Sequence, residues 1–290
     1  MLKYLFFLGC VIPYRVSSYE ISARNVSEHL GLDLVEMPEF NCCGFPMDPL
    51  NHEMMLALAA RNLCLAEKEN LDIMTLCTGC TATLRKASKL LKEDKTLRET
   101  INSYLKEINM EFKGTIEVKH FVQVLAEDLG IEKLMEHIQT PVEGLKVAGH
   151  YGCHVLRPVK YMEFENPENP VILKKLIDVT GAEYTNYTDE TQCCGAPILG
   201  VDDKIPLQVV NYKLNHLKTV GIQALITICP YCHLMFDANQ RRVERLFGGH
   251  FGIPVLHYSQ LLGLAMGISP NDLALDENRV DTSKLLAALK

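Results

Sequence analysis

Ten of the eleven cysteines in this 290-residue chain follow one order used twice. Cys10, the pair Cys42-Cys43 closed by Gly44, and Cys77-Thr-Gly-Cys80 recur as Cys153, Cys193-Cys194-Gly195 and Cys229-Pro-Tyr-Cys232. Thiolates are nucleophiles, redox couples and ligands for soft metals, so five of them at repeated intervals point to a metal or redox centre in each half. A four-iron cubane or a structural zinc takes four ligands. Five converging thiols leave one over: either one is free, or the centre is not an ordinary cubane. Neighbours on a straight strand face opposite ways, so Cys42 and Cys43 serve one site only in a turn, which Gly44 permits by tolerating positive φ. Cys194-Gly195 repeats the device.

Each Cys-x-x-Cys pair is expected to open a helix, where unpaired N–H groups and the positive dipole end favour a thiolate or an inorganic sulfide. That setting also suits a thioredoxin-like dithiol, but such a role leaves the other motif cysteines unexplained. Zinc in one or both halves, with the fifth thiol idle, is the other alternative to an iron–sulfur centre. Cys64, outside the repeat and mid-helix, reads as a small core residue.

The elements that must position these thiols follow from periodicity. Tyr4–Gly9, Leu32–Met37, Leu71–Leu76 and Thr115–Lys119 read as strands, and Arg15–Leu30, Asn51–Glu69, Cys80–Lys92, Thr96–Asn109 and Phe121–Leu129 as helices. The second half repeats the alternation, with strands at Lys146–His150, near Glu183, at Ala224–Ile228 and at Val255-Leu256. Strand–helix alternation predicts α/β architecture: two pseudo-symmetric Rossmann-like domains with parallel sheets, spanning 1–140 and 141–290, the second with a C-terminal tail. In such sheets ligands bind outside the carboxyl ends of strands. Cys10, Cys77, Cys153 and Cys229 all stand where a strand should end.

Composition narrows the class. With 48% hydrophobic and 22% charged residues the chain reads as globular, and its cysteine richness suits metal or redox chemistry in a reducing, cytoplasmic setting better than a disulfide scaffold. A net charge of −7 gives no reason to expect nucleic acid or an anionic membrane as partner. No apolar stretch reaches the roughly 18 residues of a membrane span. The Phe-Leu-Gly-Cys segment near the start has only Lys3 as its charged region, and the Gly-Cys recurs at 152–153, so an export signal is disfavoured.

The doubled Cys, Cys-Cys-Gly, Cys-x-x-Cys order resembles the cysteine-rich CCG domain, and the two-copy arrangement with Tyr151-Gly-Cys-His154 looks like the B-subunit family of methanogenic heterodisulfide reductases. The resemblance runs from about residue 4 to 262. It implies two noncubane four-iron clusters facing one another across a shared cavity, the first held by Cys10, Cys42, Cys43, Cys77 and Cys80, the second by Cys153, Cys193, Cys194, Cys229 and Cys232. The implied substrate is the mixed disulfide of coenzyme M and coenzyme B, reduced to two thiols with one electron from each cluster. Implied partners are a ferredoxin-like iron–sulfur subunit and a flavin-bearing subunit. Related CCG proteins leave a second expectation open, an electron-transfer subunit of a succinate, fumarate or hydroxyacid-oxidising flavoenzyme.

Such a substrate carries sulfonate, phosphate and carboxylate groups and calls for cations. His154, Arg157 and His233 lie beside the motif cysteines and are the candidate substrate contacts, with His154 also a candidate proton donor. His120 and His257, at matching positions, read as helix-start or packing residues. There is no dinucleotide fingerprint, Walker loop or ferredoxin run of closely spaced cysteines, so electrons are expected from another subunit.

Overall fold

The computed structural model describes residues 2–289; Met1 and Lys290, the outer ends of the two expected units, lie outside it. Strands β1 (Lys3–Phe7), β2 (Asp33–Val35), β3 (Ile73–Thr75) and β4 (Val118–His120) form one all-parallel sheet in the order β2-β1-β3-β4. Strands β5 (Lys146–His150), β6 (Glu183–Tyr184), β7 (Ala224–Thr227) and β8 (Val255–His257) form a second in the order β6-β5-β7-β8. Helices cover both faces, so central strands are apolar without alternation. Leu5, Phe6 and Phe7 are buried in succession, as are Ala224 to Thr227.

This strand order sets the site. From β1 the chain crosses to β2 on one side, then returns past β1 to β3 on the other, and the two crossovers part at the carboxyl ends of β1 and β3. Such a reversal leaves a crevice there, and Cys10 and Cys77 stand at its two lips. Cys153 and Cys229 stand at the same reversal between β5 and β7.

The helices carry ordinary start and stop signals. Asn51 caps helix His52–Glu69 by accepting from the Met54 N–H at 2.9 Å, and Asn70 ends it in the left-handed region at φ 51°. Asp94 caps Lys95–Lys106 through the Leu97 N–H. The helix expected over Arg15–Leu30 is broken at Val16, whose φ of −148° is not helical, into Ile12–Arg15 and Ser17–His29. The predicted strand over Thr115–Lys119 reduces to Val118–His120, because its one neighbour, β3, offers three residues to pair with. The predicted helix from Phe121 starts in α form and widens into π-helical turns over Val124–Gly130.

The halves are not beads on a string. On one side of the sheets, helix Ser17–His29 of the first half packs on helix Tyr258–Ala265 of the second, with Ser22 Oγ and Ser259 Oγ 2.7 Å apart, and a single apolar core runs through both. On the other side each half has its own core, one around Met55, Leu63 and Leu84, the other around Leu207, Leu214 and Phe236. The tail after Gly267 closes over the shared core with Leu273, Leu275 and Leu285. Asp237 accepts from the Arg279 and Val280 N–H groups and pins the bend before the tail's last helix, Ser283–Ala288.

Candidate metal centre

Each Cys-Cys-Gly turn is made by glycine at positive φ, 92° at Gly44 and 86° at Gly195, followed by a 3-10 turn. A Cβ on Gly44 would sit 2.8 Å from the Met55 carbonyl oxygen, and one on Gly195 2.9 Å from Pro206 Cα, so any larger residue would push the turn off the helix behind it. The same glycines turn their N–H groups back on the first thiol of each pair, Gly44 to Cys42 Sγ at 3.4 Å and Gly195 to Cys193 Sγ at 3.3 Å. Each Cys-x-x-Cys pair opens a helix, with Cys77 and Cys229 as extended N-cap residues without side-chain caps, leaving first-turn N–H groups facing the thiols.

All ten motif cysteines line one cavity of about 660 Å³ between the halves. Nine of the thiols form a path of neighbouring sulfurs across it: Cys42, Cys43, Cys80 and Cys77 from the first half, then Cys229, Cys232, Cys194, Cys193 and Cys153 from the second. Cys194 and Cys232 are 3.5 Å apart, and Cys77 meets Cys229 where the halves join. Cys43, Cys77, Cys80, Cys194, Cys229 and Cys232 are buried, while Cys10 and Cys193 are exposed, so one side of the cavity opens to solvent. Cys64 is buried elsewhere, in the first half's own core, and burial pushes its thiol up to about 12.

Crowding decides the protonation pattern. Hydrogen bonding from Cys42 holds the Cys43 thiol well below its ordinary value, Cys232 does the same for Cys229, and Cys153 holds Cys193 down to about 2. Their donors are pushed up in turn, as a neighbouring thiolate must do to a like group. So many thiols cannot all ionise in one buried space unless a polyvalent cation neutralises them. Ten thiols round one cavity are more than the eight that two tetrahedral zinc sites would use, so the donor set fits an iron–sulfur core with no thiol left idle.

The candidate substrate contacts divide. His154 lines the cavity, with Nδ1 3.4 Å from Cys153 Sγ and its ring edge-on to Phe45 at 5.0 Å. Arg157 does not line it. The helical turn Cys153–Leu156 ends there, the backbone becomes extended, and the guanidinium reaches outward to Glu168 at 3.0 Å and the Pro167 carbonyl. His233 also faces away, buried with Nε2 3.5 Å from Asp237 Oδ2 and its ring stacked on His257 at 3.9 Å. His120 and His257 open helices, each with its backbone N–H held by a Gln three residues on, Gln123 at 2.9 Å and Gln260 at 3.0 Å. The His120 ring lies against the backbones of Leu76 and Ile228, immediately behind both Cys-x-x-Cys turns.

Sequence patterns alone do not single out the inner residues of the Cys-x-x-Cys pairs. Thr78 reaches across to hydrogen-bond Cys229, and Tyr231 lies among the first half's thiols, its phenol pushed up by burial and by Cys10, Cys77, Cys80 and Cys43. Each half thus finishes the other's wall. The signal is their place at the first turn of helices that meet head to head, which only the packing of the halves reveals.

Residues 4–85 and 147–237 match the family described as the cysteine-rich domain, CCG. The chain belongs to the CCG family. It is 40% identical to the B-subunit of the Ferredoxin:CoB-CoM heterodisulfide reductase of Methanosarcina mazei, with all of this chain and 97% of the relative covered. It is 33% identical to the 8-methylmenaquinol:fumarate reductase membrane anchor subunit of Wolinella succinogenes, over 98% of this chain and 99% of that one. A crystal structure of a hypothetical protein from Helicobacter pylori superposes with a TM-score of 0.80 at 16% identity, covering 97% of this chain and 52% of the other, which shows the shared fold. Among the described residues no helix is long and apolar enough to cross a membrane.

Proposed function

We propose that the chain is the disulfide-reducing component of a multi-subunit reductase, acting on the mixed disulfide of coenzyme M and coenzyme B. Two noncubane four-iron clusters are held in it, one by Cys10, Cys42, Cys43, Cys77 and Cys80, the other by Cys153, Cys193, Cys194, Cys229 and Cys232. The observation that carries this reading is the single cavity lined by all ten thiols, with Cys77 and Cys229 in contact across the join. Each bound cluster supplies one electron at a time, and cleaving one S–S bond to two thiols consumes two electrons and two protons. A pair of centres facing one space matches that count.

The protein's own side chains shape the space. Leu8, Phe45, Pro197 and Leu199 give the cavity an apolar wall. His154 stands where it can hydrogen-bond a sulfur beside Cys153 or pass it a proton. The hydroxyls of Thr78 and Tyr231 lie across the join from the half that supplies them. Electrons come from a ferredoxin-like iron–sulfur subunit fed by a flavin-bearing subunit. The open side at Cys10 and Cys193 admits the substrate.

The cavity chemistry and the fumarate reductase relative support a second reading. His154 is the one basic side chain among the described cavity-lining residues, where a substrate rich in sulfonate, phosphate and carboxylate calls for more. On that reading the chain passes electrons to or from a flavoenzyme that acts on a dicarboxylate or hydroxyacid. The deciding experiment is anaerobic purification with iron, acid-labile sulfide and zinc analysis, followed by assay of the isolated chain with reduced viologen and the mixed disulfide. Turnover is the result expected. A loaded chain that oxidises viologen only with a partner flavoenzyme would leave the second reading standing, and zinc without iron would remove both.

A further inference from the structure

Behind the second Cys-Cys-Gly turn lies Lys213, the one lysine or arginine among the described residues with a fully buried side chain, at 0% exposure. An ammonium sealed from water is costly unless negative charge faces it. Its Nζ donates to the carbonyl oxygen of Asp189. Burial lowers the Lys213 ammonium below its ordinary value, while the Asp189 carboxylate and the thiols of Cys232, Cys194 and Cys193 act against that shift and limit it. Asp189 does not cancel the lysine outright, since its Oδ2 is engaged at 2.5 Å by His216 Nδ1.

The first half differs at this position. Cys43 and Asn62 are separated by the same length of chain as Cys194 and Lys213, and Asn62 occupies the corresponding place on helix His52–Glu69. It too is fully buried, but it is neutral: its Oδ1 accepts from the Asn41 N–H at 3.0 Å and its Nδ2 donates to the Cys42 carbonyl oxygen at 3.2 Å. In one half the position clamps the turn with an amide, and in the other it brings a positive charge to the thiols.

We propose that Lys213 sets the two centres apart in reduction potential, raising that of the second half so that the first electron entering the pair comes to rest there. Reduction adds negative charge to a centre, and a fixed cation within reach through a poorly screening interior stabilises the reduced form more than the oxidised one. The inference rests on the cluster reading above. It names which end of the cavity is charged first, and it acts through the cluster rather than on substrate.

The test is a reductive titration of the whole anaerobic chain followed by electron paramagnetic resonance, each signal assigned by its loss in Cys43→Ala or Cys194→Ala. The native chain should show two potentials with the second half's the higher. Lys213→Met should disfavour reduction of that centre about tenfold or more, about 59 mV for one electron, and leave the first unmoved. Lys213→Arg should restore it. Lys213→Gln, which keeps a donor for the Asp189 carbonyl oxygen and removes the charge, should lower the same centre alone. If Lys213→Met fails to load, Lys213→Gln decides, and an unmoved second-half potential overturns the inference. A loaded Lys213→Met chain with both potentials unchanged, or moved equally, also overturns it while leaving the cluster reading intact. A native chain without iron and sulfide removes that reading first.

Discussion

The two halves share strand order, the order of five cysteines and the positive-φ glycine turn, yet almost nothing else that touches the cavity is the same. Val11 follows Cys10 where His154 follows Cys153. Thr78-Gly79 fills the first Cys-x-x-Cys and Pro230-Tyr231 the second, and Asp48, ion-paired to Lys86 at 2.7 Å, stands at the first lip where Leu199 stands at the second. Asn62 faces Lys213. A duplicated scaffold has kept what places sulfur and changed what surrounds it. Two identical ends would suit a symmetrical substrate; under the proposed function, ends that differ match a disulfide whose halves differ.

The largest effects should come from breaking the part the halves share. Cys43→Ala and Cys194→Ala each remove a buried thiol at the centre of one quintet, and each should halve iron and acid-labile sulfide while the other half keeps its resonance signal. Metal analysis beside spectroscopy checks this. Full iron in either variant would refute the five-ligand assignment, and loss of both signals from either one would mean that the thiol path across Cys77 and Cys229 makes a single centre.

The gathering of the ten thiols at one cavity was legible in the sequence because their order is repeated. A thiol moved by one residue leaves its site, so the repeat shows through wherever the rest of the chain has drifted. Side-chain direction next to those thiols was not legible. On a helix each residue turns about 100° from the last, which carries His233, one step beyond Cys232, out of the cavity and onto His257. Arg157 fails for a different reason, since the helical turn that holds Cys153 and His154 has ended before it. The shared core and the crossing of Thr78 and Tyr231 depend on how the halves meet, which no local pattern encodes.

Asn62 sharpens the comparison at the level of stability. Asn62→Ala strips the Asn41 N–H and the Cys42 carbonyl of their partners; both bonds are half-buried, so water replaces part of what is lost and the cost falls near the lower end of the about 1–3 kcal/mol of a buried unsatisfied group. Denaturant titration of the cluster-free chain should show a loss of that order, with the first half's cluster assembling more poorly and the second's unaffected. Equal damage to both would mean that the clamp serves the shared core.

A milder effect is expected with acid. Burial holds His120 down to about 4 and moves His150 and His257 in the same direction. With folded values below the unfolded one, the unfolded chain binds more protons, so stability rises with pH through this window. Their contribution is complete above the unfolded value of about 6.5 and drains away as pH falls toward 4. Urea midpoints of the cluster-free chain should decline across that range, and His120→Gln should flatten the slope. A flat native profile would mean that these rings gain compensating partners on protonation.

The smallest effect should separate two residues that stand three apart. Arg157 is 44% exposed on its side chain and pairs with Glu168, itself 80% exposed, and surface pairs of this kind contribute little. Arg157→Ala should therefore leave stability, cluster content and the KM for the mixed disulfide within about twofold, because the guanidinium neither faces the cavity nor supports a residue that does. His154→Ala should raise KM or lower kcat severalfold with cluster content unchanged, since its ring stands against Cys153 and Phe45 inside the space the substrate must enter. Steady-state kinetics of the two variants side by side decide the matter. An Arg157 variant with the larger defect would mean that the loop carrying Glu168 releases its partner when substrate arrives, and that the second half presents two basic groups where the first presents none.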